Sequence, residues 1–362
     1  MAERSKEKSL TNPRGLKRVL VARFSALGDV AMVIPVLYSA ARCYPQVEFM
    51  FITRPMMTSM FVNAPHNLRV VGVDLKTKYT GTTAMWCLFK DLRREFDFDA
   101  FVDLHDVIRT QLLRLACRLH GVPVRRINKG RRGKRALTRR NNKIMLPLTS
   151  SRARYREVFY AIGLPLEERF DGLFGRGGAP EDMLPEIVGR PEPGVRWIGV
   201  APFAKHAGKI YPVEMMEKVV AELSSDSRNR VILFGGGEEE ERVLNRWVDS
   251  YPRCVSLAGR RLGFPVELAV MSHCKTVVSM DSGNMHLASL VNTPVVSVWG
   301  ATHPYCGFKG WHQRDANIIQ LPLTCRPCSV FGDKPCYRGD YLCLSGIAPS
   351  RIVEKVTEIL NK

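Results

Sequence analysis

Four residues within one short stretch have the types and spacing to hold an anion. Asp281-Ser282-Gly283 interrupts a β-branched run, Thr276–Met280, and His286 follows about one helical turn later. A strand that turns into a helix through a small glycine-containing loop leaves backbone N–H groups pointing out of the helix start. The helix dipole favours negative charge there. Ser282 adds a hydroxyl, and His286 can reach the same anion. A diphosphate cradle is one reading. The other is an ordinary N-cap at Asp281 or Ser282 followed by a core histidine, and pattern alone leaves both open.

Three other places carry chemistry. Gly28-Asp29 ends the loop Ser25–Asp29 after an apolar run, Lys17–Phe24. Gly permits the sharp turn, and Asp29 is either a helix cap or a proton acceptor. A dinucleotide fingerprint would need G-x-G-x-x-G, and only Gly28 is present. Lys209 lies in a loop that ends at Pro212, where its charge could neutralise a departing phosphate or simply face solvent. Gly235-Gly236-Gly237-Glu238 follows the run Val231–Phe234, so a ligand could approach the Gly236 backbone while the Glu238 carboxylate takes a ribose hydroxyl. His105-Asp106 ends another apolar run and reads as an acceptor contact or an N-cap.

The spelling narrows these choices. D-S-G-x-x-H-L-A, then a proline, an apolar run and G-x-T, resembles the donor-binding block of the heptosyltransferase family, glycosyltransferase family 9. R-F-S-A-L-G-D-V-x-x-x-x-P resembles that family's N-terminal motif, and Lys209 with Tyr211 and Pro212 matches its lysine loop. The family moves heptoses and related sugars onto the inner core of bacterial lipopolysaccharide. The resemblance implies an inverting, metal-independent transferase with no required cofactor and a nucleoside-diphosphate sugar, ADP-heptose, as donor. Asp29 would be the catalytic base. Lys205, Lys209, Gly236, Glu238, Asp281, Ser282, Gly283, His286 and Thr302 would bind the donor. Arg23, Ser25, His105, Arg131, Arg132 and Arg135 would bind a phosphorylated glycolipid acceptor of the lipid A or core type. One departure is plain: many family members place Ser or Thr shortly before the lysine, where this chain has Ala204, Lys205 and His206.

The elements that must position these residues alternate. Apolar runs read as strands at 17–24, 47–53, 68–73, 98–105, 197–201, 231–234, 255–257, 276–280 and 295–299, with amphipathic helices between them. Such alternation implies parallel sheets covered on both faces. Residues 1–16 read as a polar basic tail and 17–165 as an acceptor-binding α/β domain. A Gly/Pro-rich linker follows at 166–195, then a nucleotide-sugar domain with a Cys-rich tail at 196–348. A helix at 349–362 is expected to cross back to the first domain. The expected fold is α/β of the GT-B class: two doubly wound Rossmann-like domains facing each other across a cleft. Asp97-Phe98-Asp99 spells a D-x-D pair but is read as structural, with both acids on the outer face of a strand.

A chain of 362 residues suits two domains of ordinary size. The net charge is +19, and ten of the positive charges fall in Arg125–Lys143, a segment with no acid and no aromatic residue. Such a patch attracts phosphates, whether of nucleic acid, anionic lipid or a glycolipid, unless it is simply a solvated loop. The missing aromatics weaken a single-stranded nucleic-acid reading. No nucleic-acid partner is expected; contact with the inner face of a membrane is. A monomer is favoured. The alternative is a basic two-domain protein that binds nucleic acid or another anionic ligand without transferase activity. MAERSKEKSL has no apolar core typical of an export signal, and the longest mostly apolar run, 31–41, is too short to span a bilayer. A cytoplasmic location follows as the expectation. Of ten cysteines, Cys325, Cys328, Cys336 and Cys343 cluster as C-x2-C-x7-C-x6-C, a spacing that leaves a structural zinc open without assigning one.

Overall fold

A computed structural model describes residues 10–362; the expected basic tail at 1–16 lies partly outside them. Within it, Asn12 exchanges two hydrogen bonds with the Leu16 backbone and so forms an ordered turn. The described chain divides into two compact units, residues 10–129 with 151–170, and residues 130–150 with 171–362.

The first unit holds five strands: β1 (Arg18–Ala22), β2 (Glu48–Thr53), β3 (Leu68–Gly72), β4 (Ala100–Asp103) and β5 (Val124–Arg126). They pair in parallel in the order β3-β2-β1-β4-β5. The second unit holds six: β6 (Arg196–Ala201), β7 (Asn229–Leu233), β8 (Cys254–Ser256), β9 (Thr276–Met280), β10 (Val295–Val298) and β11 (Ile318–Ile319). Their order is β11-β10-β9-β6-β7-β8, again parallel. Central parallel strands are buried on both faces, which is why Val19-Leu20-Val21-Ala22 and Val277-Val278 read as unbroken apolar runs. Each fully buried aliphatic side chain stabilises its sheet by about 1.5–3 kcal/mol relative to an exposed one.

The direction in which successive strands are added across the sheet reverses once in each, between β1 and β4 in the first and between β6 and β9 in the second. At such switch points the loops leaving the two strands diverge and open a crevice beyond their carboxyl ends. Arg23–Asp29 follows β1 and His105 follows β4. Lys209 follows β6 and Asp281 follows β9. Each candidate cluster therefore sits at the switch point of its own sheet.

Three expectations need correction. Residues 130–150, expected within the first domain, pack in the second unit, because their anchors lie there. Lys143 Nζ donates to the carbonyl oxygens of Cys325 (2.8 Å) and Pro327 (3.1 Å), and Leu148 N–H donates to Tyr305 O at 2.9 Å. The last helix, Pro349–Leu360, stays with the second unit. It buries Ile352, Val353 and Val356 in that unit's core, against β9, β10 and the helix Val213–Ser225. The D-x-D pair precedes β4 rather than lining its outer face. Asp97 caps a helix with φ 43°, and Asp99 Oδ2 accepts the N–H groups of Lys17 and Arg18 at 2.7 and 2.8 Å.

The segment expected as a linker is anchored rather than loose. Arg169 N–H donates to Ser39 Oγ at 3.0 Å, Leu173 N–H to Leu290 O at 2.8 Å, and Ala179 N–H to Ser272 Oγ at 2.9 Å. No helix among the described residues is long and apolar enough to cross a membrane.

Candidate active site

In the first unit the chain leaves β1 through Arg23, Phe24 and Ser25 into a one-turn helix, Leu27–Ala31. Asp29 is its third residue, with its side chain 23% exposed. One carboxylate oxygen, Oδ2, lies 2.8 Å from Arg23 Nη2 and accepts the Ala26 N–H at 3.2 Å. Tyr155 Oη donates to the Asp29 carbonyl at 3.3 Å, and its ring lies under the Arg23 guanidinium, 5.6 Å away. Arg23 itself is buried and also donates to Leu104 O. The carboxylate is thus held by Arg23 and the Ala26 N–H of its own loop, with Arg23 braced in turn by Tyr155 and Leu104 from two further segments, and its side chain remains partly exposed.

His105 joins this cluster from the end of β4. Phe24 N–H donates to Nδ1 at 3.4 Å, and Nε2 lies 3.3 Å from Ser25 Oγ. With Nδ1 accepting, a neutral ring carries its proton on Nε2 and donates it to Ser25. Behind it, Asp103 Oδ1 accepts the N–H groups of His105 and Asp106, both at 2.9 Å. Arg114 bridges Asp103 and Asp106 at 2.7 and 3.0 Å. Burial, reinforced by Arg23 and Lys129, pushes the His105 pKa down to about 3.

That shift has a consequence for stability. The unfolded chain protonates His105 near pH 6.5 and the folded protein only near pH 3, so the unfolded state binds the extra proton between them. Stability from this group is complete above pH 6.5 and is lost as pH falls through that window. Replacing His105 with Gln is expected to reduce the stability lost between pH 7 and pH 5 by on the order of 1–2 kcal/mol. Urea unfolding at the two pH values measures it; an unchanged loss would mean that the ring is not held neutral.

In the second unit, Lys209 closes a single 3-10 turn, Ala207–Lys209, and its Nζ lies 2.8 Å from Asp281 Oδ2. Thr302 Oγ1 donates to the same oxygen at 2.8 Å. The close approach depends on glycine. A Cβ on Gly208 would come within 2.9 Å of Ala301 Cβ and Gly332 O, and one on Gly300 within 2.6 Å of Gly208 O. Ala301 N–H then donates to Gly208 O at 2.8 Å, tying the lysine loop to the loop after β10. Ser282 occupies the N-cap of the helix Gly283–Leu290, but its hydroxyl makes no cap bond and lies 3.4 Å from Ser279 Oγ. The helix start at Gly283 therefore presents N–H groups that no side chain caps. His286 is buried one turn on.

The remaining expected residues are distributed less simply. Lys205 is exposed. Glu238 begins the helix Glu238–Ser250 and is exposed, and the glycine turn is held instead by Glu240, whose Oε2 accepts the Gly236 N–H at 2.8 Å. Burial raises the Glu240 pKa, opposed by that bond. Arg131, Arg132 and Arg135 are exposed on the helix Arg131–Thr138, which belongs to the second unit and not to the first as expected. Lys134 on the same helix lies 4.7 Å from the Phe308 ring centre, and Leu137 is buried, which together seat the helix there.

Two residues escaped notice in the sequence. Glu240 is one of four consecutive glutamates, and only the turn geometry selects it. Arg326 sits inside the cysteine cluster, buried, donating to the carbonyls of Gly300 and Thr302 and to Gln320 Oε1. It holds the loop that carries Thr302. Cys325, Cys328, Cys336 and Cys343 line one cavity of about 10 Å³ beside it. Among the described residues no set of three or more His, Cys, Asp or Glu is arranged to hold a metal.

Comparison with known proteins places this arrangement. The model of glycosyltransferase family 9 (heptosyltransferase) matches residues 85–335, more than half the chain. Lipopolysaccharide heptosyltransferase 1 of Pseudomonas aeruginosa is 24% identical over 95% of this chain and 98% of its own. The structure of E. coli ADP-heptose lps heptosyltransferase II superposes with a TM-score of 0.68 at 20% identity, covering 95% of this chain and 98% of that one. E. coli heptosyltransferase WaaC with ADP-2-deoxy-2-fluoro heptose gives 0.62 at 18%, covering 95% and 100%. The fold is GT-B, and the chain is a glycosyltransferase belonging to family 9, the heptosyltransferases.

Proposed function

We propose that this protein transfers a heptose, with inversion and without a metal ion, from ADP-heptose to a lipid A or inner-core acceptor of lipopolysaccharide. The observation that carries the reading is the pair of clusters, each at the switch point of its own sheet: a partly exposed carboxylate paired with a buried arginine in one, a helix start without a side-chain cap and a lysine in the other. That solved WaaC holds an ADP-heptose analogue supports the choice of donor.

Asp29 accepts the proton of the acceptor hydroxyl as its oxygen attacks the anomeric carbon. The bond from that carbon to the β-phosphate oxygen breaks, and ADP departs with the electron pair. Lys209 keeps one N–H on Asp281 and has two more to offer the diphosphate. The Ser282 hydroxyl, the Gly283 amide and the His286 ring bind the same anion, the Ser282 N–H being already given to Met280 O at 2.7 Å, with Asp281 and Thr302 holding Lys209 in place. Lys205 adds a cation nearby in sequence, and the Gly236 turn with Glu238 receives the nucleoside. Arg23, Ser25 and His105 line the acceptor side. Arg131, Arg132 and Arg135 supply cations for the acceptor's phosphates from the second unit. ADP is an adequate leaving group as an anion, so cations and the helix dipole replace a metal and no cofactor is required. The protein works as a cytoplasmic monomer in peripheral contact with the inner membrane.

A thermal-shift panel of ADP-, UDP- and GDP-sugars tests the donor. Ligand at about 100 times its Kd stabilises by about 2.7 kcal/mol, a rise of roughly 5–10 °C for units of this size. ADP-heptose should give the largest rise, and EDTA should leave transfer unchanged. A response confined to UDP- or GDP-sugars would sink the ADP-heptose assignment.

A further inference from the structure

The helix Ile108–Leu119 of the first unit has two apolar faces, and the core uses only one. Leu113, Ala116 and Cys117 are buried in the core, and Arg114 is tied to Asp103 and Asp106. On the other side, Ile108, Leu112, Leu115 and Leu119 are 75%, 45%, 53% and 68% exposed. Their spacing of i, i+4, i+7 and i+11 gathers them within about 60° of arc along about 16 Å of helix. Single exposed leucines are ordinary; four in one row form a contiguous apolar strip, which marks an interaction surface.

The charges around the strip indicate what covers it. Arg109 and Arg118, both exposed, stand on its opposite flanks, and no ion pair among the described residues engages either. No Asp or Glu occurs between Val107 and Arg156. At the helix end, His120 lies 5.3 Å from the ring of Trp86, an exposed indole on the neighbouring helix Ala84–Phe96. An apolar row flanked by arginines, with a tryptophan at its margin, has the chemistry of a helix lying in a lipid–water interface. At 12 residues the helix is far too short to span a bilayer.

We propose that this face docks the protein on an anionic lipid bilayer. The aliphatic row enters the acyl boundary, and Arg109 and Arg118 meet head-group phosphates. The inference deepens the transferase reading, on which the presence of a membrane-borne acceptor rests, by naming the element that reaches the membrane. It differs from a contact made by the basic segment alone.

Co-sedimentation of the full chain with vesicles of phosphatidylcholine, with and without phosphatidylglycerol, tests it. Wild type should bind the anionic vesicles, less so as salt is raised. Leu112→Ser/Leu115→Ser should bind them about tenfold more weakly, as should Arg109→Ser/Arg118→Ser. Because all four residues are exposed, both variants should keep the wild-type melting temperature; if the leucine pair lowers it, Ile108→Ser/Leu119→Ser replaces that pair. Arg131→Ser/Arg132→Ser/Arg135→Ser should bind nearly as wild type. Wild-type binding by the leucine variants would overturn the proposal. So would a wild type that ignores vesicles but dimerises through the row. Transfer to a deacylated, water-soluble acceptor, measured in parallel, should be unchanged in the leucine variants. Its absence in wild type would count against the transferase reading and leave the docking result standing.

Discussion

Asp29→Asn is expected to lower turnover by about 10²–10⁴-fold while leaving donor affinity within about twofold, the loss typical of removing a general base. Asn is the informative substitution because it retains an oxygen for Arg23. Asp29→Ala should show the same catalytic loss with an added structural one. Arg23 is buried, and its guanidinium would keep no carboxylate in place of the one now 2.8 Å away. Stranding a buried charge costs about 3–5 kcal/mol, so the alanine variant should melt earlier than the asparagine variant. Steady-state kcat with calorimetric donor affinity separates the two effects. Turnover within tenfold of wild type in Asp29→Asn would assign this residue to structure alone, as the anchor of Arg23.

Lys209→Met should be nearly as severe, by a different route. Lys209 and Thr302 converge on one oxygen of the buried Asp281. Removing the lysine takes a cation from the diphosphate and also exposes that anion to an unneutralised carboxylate. We expect donor affinity to fall about 10–100-fold and kcat by a further 10²–10³-fold, the scale seen when a group stabilising developing charge is deleted. Lys209→Arg should rescue little. The ammonium reaches one oxygen of Asp281 as a compact point charge with its other N–H groups aimed elsewhere, and a planar guanidinium with fixed donors does not reproduce that arrangement. Adding Asp281→Asn to the methionine variant should recover part of the affinity by removing the stranded charge. A methionine variant with donor affinity and kcat both within threefold of wild type would remove Lys209 from the donor site.

Much of this was legible in the sequence because it is local. Thr276–Met280 must be a strand buried on both faces, since five small or apolar residues without a polar alternation suit nothing else followed by such a turn. Asp281-Ser282-Gly283 must break it, and Gly283–Leu290 follows as a helix. Gly28 and Asp29 fall at a strand-to-helix turn for the same reason. The two sets of alternating elements on either side of residues 166–195 likewise announce two parallel sheets.

What stayed hidden depended on partners far along the chain. Which of Glu238 and Glu240 reaches the Gly236 amide is decided by how the turn meets the helix, not by their identical side chains. Arg326 is an unremarked arginine between two cysteines until folding brings it to the carbonyls of Gly300 and Thr302. Residues 130–150 continue the first half of the sequence, yet their lysines and leucines find carbonyls and aromatic rings in the second unit.

By itself, then, the amino-acid order determined the strands, the turns that end them and the residue types offered at each turn, because propensity, glycine freedom and apolar pattern act over a few residues. Only the tertiary structure decided that β1 lies beside β4 and β6 beside β9, which creates the two switch points. It also decided that Lys209 meets Asp281 and that one face of Ile108–Leu119 stays bare. Those outcomes come from parallel pairing, ion pairing and packing between segments tens of residues apart, and no short-range preference encodes them.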